Sequence, residues 1–203
     1  MALEGWKVEP ISYQSAKPFV EKWHYAHSVN GIHISQCFGL FKPRPEFFDI
    51  PEMVGVAMYG KPAMNNQGEK WCPKDSTKLV ELRRFCTTDD TPKNAESFFI
   101  SKTLKWMKRN TDFEVAVVYA DPEYGHYGTI FRASNWKLMG LTSPGIILMV
   151  DGERYHDRTL RMNKPYAKKI QQRVERGDDS IEFYQTKPKY IFLYRLQKGF
   201  DES

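Results

Sequence analysis

Residues 119–136 read YADPEYGHYGTIFRASNW and join an apolar run to a loop packed with ionisable and hydroxyl groups. The run before it, FEVAVVY (113–119), is rich in β-branched and aromatic residues and has the length of a buried strand. Pro122 cannot continue a central strand, and Gly125 and Gly128 allow a tight turn into a helix carrying Ile130, Phe131, Ala133 and Ser134. Asp121, Glu123, Tyr124, His126 and Tyr127 are therefore expected at a strand's carboxyl end, where open α/β sheets form their ligand crevices. An Asx-capped polar turn is the plainer reading of DPEYG, and the residues alone leave both open.

Working outward, 203 residues suit one substantial core, and a single domain is expected over 1–203. No apolar run approaches bilayer length, and MALEGWKVEP has no signal-peptide centre, so a cytoplasmic protein without a membrane partner is expected. Cys37, Cys72 and Cys86 are odd in number and lack CxxC spacing, which argues for packed thiols rather than disulfides or a zinc knuckle. Net charge is +5, yet residues 154–176 alone hold eight Lys or Arg against two acids. With Tyr155, His156 and Tyr166 interleaved, that segment suggests a surface for phosphate backbones; a solvated helix face is the alternative, since Ile170 and Val174 keep helical spacing.

The remaining pattern alternates strands and helices. A strand near Trp6 to Ile11 precedes a helix with Ala16, Phe19, Val20 and Trp23 on one stripe and Ser15 as its N-cap. Strands are expected at 34–41, 53–60 and 78–86, the last placing Val80, Leu82 and Cys86 on one face and Arg83 and Arg84 on opposite faces. Residues 61–77 read as a loose surface excursion. A helix over 91–110, capped by Thr91 or Asn94, buries Ile100, Leu104 and Met107; its first turn at 92–97 is a natural anion site. Further strands at 113–119, 145–151 and 190–196, a helix at 126–134 and a basic helix at 166–179 complete an α/β fold with a mixed sheet.

That order resembles the GNAT acetyltransferase superfamily, although RRFCTTDDTPKNAES has no glycine where the coenzyme A loop would lie. VELRRFC, DDTPKNAES, FISKTLKWMK, YADPEYGH with GTIF and ASNW, LTSPG and YHDRTLR are similar to the Mom family of phage DNA-modification proteins, from about Ile11 to Leu196. The resemblance implies a GNAT-like α/β fold, a mixed central sheet flanked by helices. It also implies conversion of adenine in double-stranded DNA to N6-carbamoylmethyl (acetamido) adenine, which protects phage DNA from host restriction. A functional aspartate at Asp121 is implied too, as are roles for Ser97 and for one of Arg83 and Arg84.

Adenine N6 is a weak nucleophile, so a positioned base is needed, and Asp121 is the first candidate. Ser97 and Asn94, at the start of the central helix, are candidates for a phosphate or carbonyl oxygen; Ser97 also reads as a cap. Arg84, by its parity with Val80 and Leu82, is expected to be buried against Glu81 or Asp121. Mom relatives often read TIY where this chain has Phe131, so a proton donor falls to Tyr124 or Tyr127. His24 and His27, at i and i+3 in KWHYAHS, form with Asp121 a two-histidine, one-carboxylate set suited to iron or another transition metal; hydrogen bonding at a helix end is the alternative. An extruded base would stack on Trp23, Tyr25, Tyr124 or Tyr127, with Arg158, Arg161, Lys164, Lys168 and Lys169 on phosphates.

Three functions compete: a Mom-type transferase, an acyl-coenzyme A dependent N-acetyltransferase, and a non-catalytic basic DNA-binding protein. The donor is left open, with acetyl-coenzyme A one candidate, and a homodimer is compatible with the sequence.

Overall fold

The computed structural model describes residues 3–43, 51–64 and 66–197. They fall into two compact units, one of Met1–Tyr119, Gly128–Met139 and Ile191–Ser203, the other of Ala120–Tyr127 and Gly140–Tyr190. The first unit is built on a seven-stranded mixed sheet. Its strands are β1 (Lys7–Pro10), β2 (Ile34–Lys42), β3 (Glu52–Gly60), β4 (Leu79–Thr87), β5 (Val115–Ala120), β6 (Lys137–Leu141) and β10 (Tyr190–Arg195), in the spatial order β1-β2-β3-β4-β5-β10-β6. The mixed sheet with flanking helices is the expected α/β architecture.

Helix α1 (Tyr13–Trp23) turns Ala16 and Val20 onto Cys37, Val56 and Met58. Its N-cap is Ser12, whose hydroxyl accepts from the Ser15 amide, one turn earlier than expected. On the other sheet face α3 (Ala95–Asn110) buries Phe99, Ile100, Thr103, Leu104 and Met107, and Thr103 Oγ1 meets the Tyr59 hydroxyl at 2.7 Å. Each large apolar side chain buried there contributes about 1.5–3 kcal/mol relative to exposure. Asn94 holds the position before α3 in the left-handed region, φ 70°, with no side-chain cap bond. Phe131, in the short α4 (Thr129–Ala133), is core, packed on Trp136 and Phe192. The thiols are unpaired, and burial pushes Cys37 and Cys72 up to about 11 and Cys86 to about 12.

Two strand features position the site. Opposite Met58 and Tyr59 the ladder skips from Arg84 to Leu82, so Arg83 is an extra residue, a β-bulge. The bulge breaks simple alternation. Arg84 pairs with Met58 and Cys86 with Val56, on the α1 face, whereas Leu82 pairs with Tyr59 and faces α3. The expectations that Arg84 and Cys86 share a face with Leu82, and that Arg83 and Arg84 diverge, are thus corrected: Glu81, Arg83 and Arg84 all gather on the α1 side. Secondly, β4 and β5 are parallel partners at Leu79/Val115, Val80/Ala116 and Glu81/Val117 alone, although both strands run on. Past Glu81 the sheet opens between them.

The excursion expected at 61–77 contains regular structure. Helix α2 (Gln67–Trp71) lies within it, with Gln67 and Cys72 buried.

The second unit holds a separate antiparallel sheet of β7 (Ile146–Val150), β8 (Glu153–His156) and β9 (Glu182–Gln185), with β7 in the middle. Strand 146–150 therefore does not join the central sheet as its apolar run suggested. Leu148 and Val150 pack on Ile170 of α5 (Pro165–Glu175) and on Ile181. Arg173 locks this unit, its guanidinium 2.5 Å from Asp151 and 2.7 Å from Asp178.

Candidate active site

The opening between β4 and β5 is lined from the first unit. At its closed end Glu81 sits 7% exposed, Oε2 accepting from the Ala63 amide at 2.8 Å and from Arg83 at 3.2 Å. Burial raises its carboxyl above the usual range, outweighing Arg83 and the Ala63 amide. Arg83 also reaches the Lys61 carbonyl at 3.5 Å, and its buried Nε has no partner among the described residues. Two residues beyond the last ladder pair, Tyr119 donates to Gln67 Oε1 at 2.6 Å, and Trp71 Nε1 donates to the same oxygen at 2.9 Å. Burial pushes the Tyr119 phenol far up.

Arg84 is half-buried, as expected, but its partners are carbonyls: Nε donates to Ser28 O at 2.9 Å and a terminal nitrogen to Arg83 O at 2.8 Å. Glu81 pairs with Arg83 instead, a consequence of the bulge. Burial holds the Arg84 guanidinium below its ordinary value. Ser97 lies in the first turn of α3, where its hydroxyl donates to the Asn94 carbonyl at 3.1 Å; Asn94 is exposed.

The histidine pair does not sit on a helical face. Helix α1 ends at Trp23 and His27 takes φ 43°. His24, buried, accepts the Ala26 amide on Nδ1 at 3.0 Å, and His27 Nδ1 meets the Glu21 carbonyl at 3.0 Å. Tyr25 is 45% exposed, its ring 4.3 Å from that of His24. Among the described residues no group of three or more His, Cys, Asp or Glu side chains could hold a metal ion. The expected set His24, His27 and Asp121 is not such a group among those residues: Nδ1 of each histidine meets the backbone, and Asp121 pairs with Lys189.

Asp121 belongs to the second unit. Its carboxylate caps the turn after β5 by accepting from the Glu123 amide at 3.1 Å, and it pairs with Lys189 Nζ at 2.7 Å. It is 5% exposed. Tyr124 accepts from Arg154 at 2.6 Å, Arg154 lies 3.6 Å from Glu123, and the Lys187 amide donates to Glu123 at 3.0 Å. Tyr127 is exposed beside the Tyr190 ring. Arg158, Arg161, Lys164, Lys168 and Lys169 are all exposed. Arg161 pairs with Asp157, and Lys168 and Lys169 lie opposite the buried Ala167 and Ile170 of α5.

Sequence reading missed Lys189 as the Asp121 partner and the Gln67, Trp71, Tyr119 and Glu81 cluster. Its one signal was Glu81 itself, an acid inside the apolar start of a strand.

The fold is that of GNAT acetyltransferases: Arabidopsis thaliana NAA60 in complex with acetyl-CoA aligns over 94% of this chain and 98% of its own, at TM-score 0.54 and 13% identity. The ribosomal-protein-S18-alanine N-acetyltransferase from Escherichia coli aligns over 98% of each, at TM-score 0.52 and 6% identity. The methylcarbamoylase mom of Escherichia phage Mu is 30% identical over 161 residues, 78% of this chain; the match spans 63% of that relative's length. With the Mom protein family model matching residues 5–202, nearly end to end, the chain belongs to the Mom family.

Proposed function

We propose that this protein is a phage DNA-modification transferase that converts adenine in double-stranded DNA to N6-carbamoylmethyl adenine and so shields that DNA from host restriction. What carries the reading is the Mom family match along the chain, joined to a GNAT-type sheet that opens between β4 and β5. A weak amine needs positioning beside fixed dipoles, and the opening, with the buried Glu81 and the Gln67–Tyr119 hydrogen bond at its head, suits that need. Past Glu81 and Val117 the facing edges of β4 and β5 do not pair with each other, which suits a transferred carbonyl or amide lying between them. The exposed cations of 158–169 suit phosphates, and the exposed Trp23 and Tyr25 suit a base out of its stack.

The fold's usual donor is tested by the residues themselves. A pyrophosphate would meet α3 through RRFCTTDDTPKNAES, where Asp89 and Asp90 carry negative charge and no glycine lets backbone approach. Asp90 is held as a carboxylate, its pKa lowered by the Thr88 hydroxyl and by Lys42. This loop departs from the glycine loop expected for coenzyme A, so the donor stays open between acetyl-coenzyme A and another carrier.

Nucleoside mass spectrometry on DNA from cells expressing the protein tests the proposal. A deoxyadenosine heavier by an acetamido group is expected, and its loss in Asp121→Asn ties it to this chain. Unmodified DNA together with acetylated protein or small amine would establish the acetyltransferase reading instead, and unmodified DNA bound in a salt-sensitive way the non-catalytic one.

A further inference from the structure

One apolar face of the second unit's sheet is covered at one end and open at the other. Leu148 and Val150 on β7 pack against Ile170 of α5. Phe183 stands opposite Leu148 in the β7–β9 register, and Ile146 lies two residues before Leu148, so both belong to that same face. Yet Phe183 is 51% exposed and Ile146 46%. The neighbouring Tyr184 points to the opposite face, where its hydroxyl bonds to Glu182. Phe183 is therefore a large apolar ring presented to solvent from an edge strand.

Two features say what would cover it. Arg173 ties the last turn of α5 to Asp151, just past the end of β7, which directs the helix's first turn, with Lys168 and the preceding Lys164, towards the Ile146 end. An apolar patch beside cations fits a polyanion with an apolar interior, and duplex DNA is one. Secondly, β9 runs into the strap that holds the turn after β5. The Thr186 amide donates to the Gly145 carbonyl at 2.8 Å, the Lys187 amide to Glu123 at 3.0 Å, and Lys189 pairs with Asp121 at 2.7 Å. Four residues, at most about 14 Å of chain, separate Phe183 from the Glu123 anchor.

Resting on the reading that adenine is modified within duplex DNA, we propose that Phe183 is the wedge that fills the gap left in the base stack when the adenine swings out towards the Asp121 turn. Enzymes that modify a base extrude it, and unstacking and unpairing are the cost. An apolar side chain inserted at the base step gives the flanking bases a new contact surface. A phenyl ring suits that place because it has no polar group to be stripped of water between bases. Ile146 broadens the wedge at its base, and Lys164 and Lys168 neutralise neighbouring phosphates. The step is conformational, and no bond forms or breaks in it.

The test uses the purified full-length protein and duplexes with 2-aminopurine at one adenine, whose fluorescence rises when the base leaves the stack, in every combination of flanking bases. Anisotropy sets saturation, and circular dichroism checks folding. Wild type should brighten at least one duplex. Phe183→Ala should bind that duplex yet lose most of the brightening, and should recover it when an abasic site faces the 2-aminopurine, where less pairing opposes extrusion. Phe183→Leu, still an apolar wedge, should keep most of the signal. In expressing cells Phe183→Ala should lower modified deoxyadenosine about tenfold or more. Undiminished brightening by Phe183→Ala on the intact duplex would overturn the wedge, and wild-type modification would leave the function standing. Wild type that brightens no duplex overturns the wedge too, whereas unmodified DNA in cells expressing wild type overturns the reading on which it rests. A wild-type dimer that Phe183→Ala dissociates, with brightening unchanged, would assign this face to a second copy of the chain instead.

Discussion

The two units handle charge in opposite ways. At the β4–β5 opening a few ionised side chains, Glu81, Arg83 and Arg84, are half-buried or more and hold each other or the backbone at 2.8–3.5 Å. Around α5 many cations lie exposed, and the best-paired of them, Arg173, serves to tie a hairpin to a helix. Charge in the first region acts individually because low dielectric magnifies each pairing; in the second it acts as a sum and is screened by salt. Chemistry that depends on one atom belongs in the first setting, and capture of a polyanion in the second.

The largest effect should come from breaking the buried pair. Arg83→Met removes the cation beside Glu81 without leaving a large hole, and a buried ion losing its partner costs about 3–5 kcal/mol. Thermal unfolding should show a clear drop in Tm, several-fold larger than for Arg161→Met, whose exposed pair with Asp157 is worth at most about 1 kcal/mol. Equal shifts would erase the contrast between the two regions.

Much of this contrast was legible in the sequence, and the part that was not has a physical origin. Apolar periodicity found β2, β3, β4, β5, β10 and the long helices because burial of a face is written in residue type at fixed intervals. The basic segment, too, was readable as composition. Alternation failed at Arg83, where one extra residue in β4 moves Arg84 to the other face, and nothing in VELRRFC marks a bulge. Strands β6 and β9 escaped because 137–141 and 182–185 are exposed throughout, so no burial pattern disciplines their sequence. Asp121 was found as a residue but not as a contact: Lys189, 68 positions later by the sequence numbering, is set beside it by tertiary structure alone.

A second, smaller effect concerns the cationic face. Neutralising Lys164, Lys168 and Lys169 together to Gln should weaken duplex binding at low salt and flatten the dependence of log K on log salt by about 0.9 for each phosphate that is no longer neutralised. Fluorescence anisotropy with a duplex at several salt concentrations measures it. An unchanged slope would make these lysines a solvated helix face and remove the collective half of the comparison.

The smallest effect is also the one that separates the regions by sign. Glu81 has a raised carboxyl in the fold, so the native state binds its proton more readily than the unfolded chain does. Its stabilising contribution is present below the unfolded pKa and is lost as pH rises through the folded one. Asp178 runs the other way: the Ser180 hydroxyl and Arg173 lower it to about 2, so its contribution is present above the unfolded pKa and disappears as pH falls towards 2. Acidification from neutrality should therefore first relieve the buried opening and only later loosen the clamp between α5 and the β7–β8 turn. Following unfolding by urea from pH 7 to pH 3, Glu81→Gln should flatten the upper part of the profile and Asp178→Asn the lower part. Because Asp178 is partly exposed and its pairing is screened by solvent, its share is a matter of direction and of order along the pH axis. Were both substitutions to act at the same end of the scale, burial would not be what distinguishes the two sets of charges.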